Sequence, residues 1–270
     1  MRLLFSTLLG MLFLFFFLFY PFLSFASTLY VSLSGNNTAP YDTWVKAATS
    51  VRTAVLAANN GDTVMITNGN YAETAEIVIQ KSIILRSVNG PLFTTIRRTG
   101  ASAFRVFTVS NASAWLIGLT VTNGNLASLQ QPGAGIRLYS GIISNCIIEK
   151  NTSDRGVGGI LMTGGRCTHS IIRLNRDTGN WLTVGGIHIY DGIISNCQIY
   201  ANTAMHASGV KIVGSGSQAP VLSGCIISNN YYNQVASLQY GDERAVELSN
   251  SKAVIENCLV INNGGRGIYM

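Results

Sequence analysis

Charge is scarce in this chain: Asp, Glu, Lys and Arg make up only 11% of its 270 residues. The 18 basic residues outnumber the 12 acidic ones, but they are scattered as singles and one pair, Arg97-Arg98. With no Lys/Arg cluster to track a phosphate backbone, nucleic acid is not the expected partner. Acidic side chains are equally dispersed, and calcium needs several oxygen ligands converging on one point, so no metal site is marked. None of the five cysteines stands in a CxxC or Cys/His spacing, which removes the usual zinc arrangements. Beyond the N-terminus no stretch is apolar enough to span a bilayer. These absences leave an acidic polysaccharide, an anionic cell surface, or no charged partner at all.

What is present begins with a leader. In "MRLLFSTLLGMLFLFFFLFYPFLSFA" a lone Arg2 precedes an apolar run to Leu23 and a small-x-small end, Ser24-Phe25-Ala26. Residues 1–26 read as a secretory signal peptide. The run is also long enough for an uncleaved anchor, although Pro21 and the Ser-x-Ala end favour cleavage; in both cases the remainder is exported, secreted or held at the cell surface. Its 28 glycines and plentiful Asn, Ser and Thr give the polar, nearly uncharged surface of an exported β protein.

The string GIISNC occurs at 141–146 and again at 192–197. Aligned on it, the chain resolves into units that start at Gly135-Ile136, Gly159-Ile160, Gly186-Ile187, Gly209-Val210 and Ala245-Val246, with a sixth start at Gly267-Ile268. The starts are 24, 27, 23, 36 and 22 residues apart. A period in the twenties marks a solenoid, whose repeats bury their apolar faces only by stacking. Within a unit the apolar residues alternate and β-branched side chains dominate, so each repeat is a β-coil. Leucine-rich repeats share the period but need a dense Leu framework, which is missing. Stacked coils predict a ladder of Asn151, Asn175, Asn202, Asn230 and Asn263 at a turn that Asn tolerates. They also predict a column of small inward side chains, Cys146, Ser170, Cys197, Cys225 and Cys258, as unbridged core residues. Cys167, in the Gly-rich "TGGRC", falls outside that column.

Ahead of the repeats, residues 27–62 hold a first strand and a short amphipathic helix. Trp44, Ala48, Val51, Val55 and Ala58 share one helical face, Asp42 or Thr43 is placed to cap its start, and Asn59-Asn60-Gly61 to end it. Such a helix would cover strand edges at the open end of the solenoid. Coils then occupy 63–270, with strands expected at Thr63–Thr67, Ile77–Ile79, Ser82–Arg86 and Thr94–Ile96.

Tyr30-Val31-Ser32 with Gly35, then Gly61-Asp62-Thr63-Val64 with Ile66, Gly69 and Tyr71, then Lys81, Ile83 and Leu85 resemble the right-handed parallel β-helix proteins of the pectate-lyase-like group. The resemblance is to their bacterial secreted and surface branch, which includes polymorphic outer-membrane-type repeat proteins. It implies an all-β fold from Leu29 to Met270: a right-handed parallel β-helix solenoid with an N-terminal amphipathic cap helix. The chain stops one strand into a coil, so a longer protein is expected, with further coils or a C-terminal anchor.

The fold carries lyases, hydrolases, adhesins and tail spikes alike. Lyases of this group hold Ca²⁺ against a uronate and use an Arg or Lys base, so calcium is expected only if the activity is lyase-like; otherwise no cofactor is. Candidate catalytic residues are Asp154 and Asp177 in neighbouring turns with their neighbours Arg155 and Arg176. The same four also fit a solvated cross-coil ion-pair network. Asp191 and the Asp242-Glu243 pair complete the acidic residues of the repeats' turns. An outward column on the Gly-Ile strands, Arg137, Leu161, His188, Lys211, Glu247 and Tyr269, with Tyr139, Thr163 and Tyr190 two residues on, suits a sugar chain. Its candidate binding residues are Arg137, Tyr139, His188, Tyr190 and Lys211; an ordinary exposed strand face is the alternative, with His188 a surface histidine. The expected role is a surface or adhesin-like protein that binds polysaccharide, with a polysaccharide lyase or glycosidase acting on acidic glycan as the rival.

Overall fold

The structure, a computed structural model, describes residues 26–127, 129, 131–179, 183–214, 219–232, 244–249 and 252–270. Residues 1–25 of the signal peptide expected at 1–26, and the Asp242-Glu243 pair, lie outside the described residues. All named strand pairs are parallel, and they form sheets of nine, eight, eight and four strands. Each coil contributes one strand to each of the three long sheets, and the later coils add a fourth, short one. Within the repeats a unit runs Ile187–Ile189, Ile193–Ser195, Gln198–Tyr200, Thr203–Ala204, and the next unit stacks on it in register. The described residues thus form an all-β parallel β-solenoid with one short helix. The early strands lie at Thr63–Ile66, Ile77–Ile79, Ile84–Ser87 and Thr94–Arg98, within a few residues of expectation.

The corners explain the repeated string. Asn145, Asn196 and Asn257 have φ of 51°, 53° and 52°, a left-handed conformation that Asn tolerates because its side chain bonds locally. Gly224 takes the same conformation, at φ 61°. The following residue then turns inward: Cys146, Cys197 and Cys225 are buried, and Cys258 is partly so. Each of these thiols donates to the carbonyl two residues back, at 3.3 Å. The ladder asparagines form a second corner: Asn151 Nδ2 donates to Asn175 Oδ1 at 2.9 Å, Asn175 to Asn202 at 3.0 Å, Asn202 to Asn230 at 3.0 Å and Asn230 to Asn263 at 3.0 Å. Here the left-handed residue is the one before each Asn, namely Lys150, Leu174, Ala201, Asn229 and Asn262. The ladder is therefore selected by hydrogen bonding rather than by tolerance of the turn.

The Gly that opens the units at 135, 159, 186 and 209 is required by close approach. A Cβ at Gly159 would lie 2.3 Å from Gly186 O, and one at Gly186 would lie 2.3 Å from Gly209 O. Cys167 departs from expectation. It is the centre of the strand Arg166–Thr168, paired between Ile143 and Ile194, wholly buried, with its Sγ 4.0 Å from Cys197 Sγ. Period-two alternation continues through "GRCT", so the Gly-rich turn ends one residue before the strand begins. All five cysteines are free thiols.

The helix is Val51–Ala57, capped by Ser50, whose side chain accepts from Thr53 N. It starts later than the sequence suggested, because Ala48 is held in a bridge to Val31 by Ser32 N→Ala48 O and Ala48 N→Tyr30 O bonds of 2.9 Å. Trp44, freed from the helix, lies with its ring 4.3 Å from that of Tyr30. Side chains from the first coils clamp both helix ends. Glu73 accepts from Val51 N at 2.8 Å and from Ser50 Oγ at 2.9 Å, and Lys81 Nζ donates to Leu56 O at 2.8 Å and Ala58 O at 2.6 Å. An anion at the N-terminus and a cation at the C-terminus complement the helix dipole. Asp62 ties the following turn by accepting from Asn59 N at 2.7 Å and Ser27 N at 2.8 Å. The expected boundary at 62/63 is bridged by a sheet, since Thr28–Val31 pairs in register with Thr63–Ile66. At the far end Val254, Leu259, Ile261 and Ile268 are exposed. No helix among the described residues is long and apolar enough to cross a membrane.

Candidate functional site

The Gly-Ile strands form one long sheet whose register sets Arg137, Leu161, His188, Lys211, Glu247 and Tyr269 on successive coils. The column is the one read from the sequence, but it is not a flat exposed face. It floors a groove of about 1330 Å³ lined by Arg137, Leu161, Thr163, His188, Tyr190, Lys211, Val213, Glu247 and Ser249, with Pro132, Asp154, Arg155, Gly156, Thr178 and Gly179 as its wall. The lining spans five coils, roughly 19 Å at a coil spacing of about 4.8 Å. Floor and wall are joined by a small apolar cluster of Val157, Leu161, Val184 and Ala207, against which Tyr190 packs. Only 8% of His188, 5% of Lys211 and 4% of Glu247 is exposed, so His188 is not a surface histidine. Two sets of candidates that were separate in the sequence, Asp154/Arg155 and the outward column, line the same space; Tyr139 stands exposed beside it, stacked under Arg137.

Asp177 and Arg176 do not belong to the groove lining. Asp177 is completely buried below the wall, accepting from Gly156 N at 2.9 Å and Gly179 N at 2.8 Å. Burial raises its pKa, against the opposing pull of the Gly179, Gly156 and Ser153 hydrogen bonds. From there it shapes the turn that carries Asp154. The wall is close to backbone contact there: a Cβ at Gly179 would fall 1.7 Å from Asp154 O. Arg176 is exposed on the short fourth sheet, and Arg155 is exposed at the groove's rim. His169 sits in a left-handed corner with its Nδ1 2.8 Å from Thr168 Oγ1.

The floor's charges are arranged unevenly. At one end Arg137 lies over the Tyr139 ring, 4.6 Å from its centroid. At the other, Lys211 Nζ donates to Glu247 Oε1 at 2.7 Å, Ser249 Oγ donates to the same oxygen at 2.8 Å, and Arg244 Nη1 stands 3.3 Å away. Burial alone would raise the Glu247 pKa; the Lys211 and Ser249 hydrogen bonds, with the Lys211 and Arg244 charges, outweigh it and hold the group below the usual range. His188 lies between, its ring 4.4 Å from that of Tyr190. Burial and the Lys211 cation push its pKa down to about 4, so near neutrality it is an uncharged imidazole. Three buried polar atoms on this floor have no hydrogen-bond partner among the described residues: Arg137 Nε, His188 Nε2 and Glu247 Oε2. Buried polar groups are rarely left so, and here they comprise a donor, an acceptor and a ring nitrogen able to act as either.

The residues do not fit calcium. Among the described residues Asp154 and Glu247 are the carboxylates that line the groove, one Glu247 oxygen is taken by Lys211, and no group of three or more His, Cys, Asp or Glu is placed to hold a metal. The roles of Ser249, Arg244 and the wall glycines carried no sequence signal, because they come from turns and strand ends without periodic pattern.

No protein-family model and no curated protein sequence matches the chain. Solved structures do. The pectate lyase Pel9A aligns with a TM-score of 0.62 at 16% identity over 86% of this chain, which spans 61% of that chain's length. Pectin methylesterase PemA from Erwinia chrysanthemi aligns at 0.54 and 12% over 90% of this chain and 82% of its own. A pectin methylesterase in complex with hexasaccharide VII aligns at 0.50 and 12% with the same coverage. At these identities the likeness is one of architecture: the chain has the parallel β-helix fold of pectate lyases and pectin methylesterases.

Proposed function

We propose that the groove binds an extracellular or cell-surface polysaccharide, laid along the solenoid axis across five coils. The observation that carries this reading is the row of unsatisfied buried polar atoms, Arg137 Nε, His188 Nε2 and Glu247 Oε2, on one groove floor. A polyhydroxylated chain supplies both donors and acceptors at such spacing, while Tyr139 and Tyr190 offer rings for sugar faces to lie on. One of the structural neighbours was solved with a bound hexasaccharide, which supports the same direction. The leader-like N-terminus and the resemblance to secreted and surface repeat proteins support a location outside the cell, in an adhesin-like role.

Titration calorimetry of the exported chain against a panel of neutral and acidic glycans tests this. Binding is expected for at least one class, weakened ten-fold or more by His188→Ala and by Glu247→Ala. A panel without binding, or binding untouched by both variants, removes the reading. One observation favours cleavage of an acidic glycan as a second reading: an imidazole with an open nitrogen stands in register beside the Lys211 cation, the types of group that proton abstraction next to a carboxylate uses. New reducing ends or unsaturated products would establish it.

A further inference from the structure

Resting on the polysaccharide reading, the charge pattern of the floor narrows the ligand class. A coil spacing of about 4.8 Å is close to the advance of one ring in an extended pyranose chain, so each coil faces about one sugar. Passing along the axis, a bound chain meets Arg137, then Leu161, then His188, then Lys211 and Glu247. Arg137 has an open Nε. Leu161 is apolar and 3% exposed. His188 is uncharged, and Lys211 is already tied to Glu247. The wall contributes one charge of each sign, Asp154 and Arg155, which cancel. Among the described residues the middle of the groove therefore holds no net cation. A carboxylate there would lose its water with no counter-charge opposite, a large penalty. At the far end Glu247 Oε2 requires a donor, which a hydroxyl provides and a carboxylate does not.

We propose that the groove selects a glycan of low charge density: an acidic residue held by Arg137, uncharged sugars over Leu161 and His188, and a hydroxyl donated to Glu247. A homopolymer ionised at every ring is disfavoured.

The test is calorimetry of the full chain against one uronan backbone at graded methyl esterification, from fully esterified to fully ionised. Affinity is expected to peak at intermediate ionisation and to fall at least ten-fold at full ionisation. Arg137→Gln should erase the advantage of the partly ionised polymer over the neutral one. His188→Lys, which places a cation mid-groove, should move the optimum toward full ionisation; circular dichroism checks that both variants fold. Affinity that climbs steadily to the fully ionised polymer, or a series unchanged by Arg137→Gln, overturns the inference and leaves polysaccharide binding standing. Absence of binding at every degree of esterification by a chain that binds other glycans overturns the inference alone, and absence of binding to any glycan overturns both.

Discussion

His188 is neutral in the fold at pH values where a free histidine is already charged. Its pKa falls from 6.5 to about 4 on burial beside Lys211. Between these values the unfolded chain binds a proton that the folded chain refuses, so stability is full above about pH 6.5 and is lost as the pH falls toward 4. The displacement corresponds to roughly 3 kcal/mol at most. His188→Gln, which cannot titrate, is expected to flatten the pH dependence of the urea midpoint across that window. An unchanged slope would mean that other groups set it. The residue itself was legible as part of an outward column, since alternation fixes which side of a strand a side chain takes. Its burial was not, because the wall that covers the column is built from turn residues of other coils.

At the level of the coil corner, Asn202 makes four hydrogen bonds. Its Oδ1 accepts from Asn175 N and Nδ2 at 3.0 Å each, and its Nδ2 donates to Ile172 O at 2.9 Å and Asn230 Oδ1 at 3.0 Å. Truncation strands partners on both neighbouring coils, each worth about 1–3 kcal/mol when buried and unmet. Asn202→Ala is expected to cost roughly 3 kcal/mol or more in chemical denaturation. Asn263, on the last coil and only partly buried, should cost markedly less, and equal losses at the two positions would refute the cooperative ladder. Strands and corners were readable because a repeat displays the same constraint several times over, so Cys146, Cys197 and Cys225 identify one another. The helix occurs once. A 3.6-residue pattern reached back to Trp44, yet pairing of Ala48 with the first strand claimed the backbone that the pattern assigned to the helix. A single element offers no second copy against which to correct such a reading.

Seen whole, the described residues form a stack of coils in register. The helix, clamped by Glu73 and Lys81, closes the first coil, while the last coil leaves Leu259, Ile261 and Ile268 open. The groove lies between, and its length is set by the number of coils in register, so its five-coil reach follows from the repeat even though its chemistry does not. The interior column of thiols has a further bearing on how the protein survives. Cys146 is pushed up to about 11 by burial, with Cys197 and Cys225 also raised, and a thiol that cannot ionise does not exchange. Unfolding releases the four buried thiols at once. In an oxidising medium, refolding after urea is expected to recover most of the protein with a reductant present and little with oxidised glutathione. Equal recovery in both would refute the expectation. Where oxidation blocks refolding, denaturation is a one-way event, and the working lifetime of the protein is governed by how slowly the stack first opens.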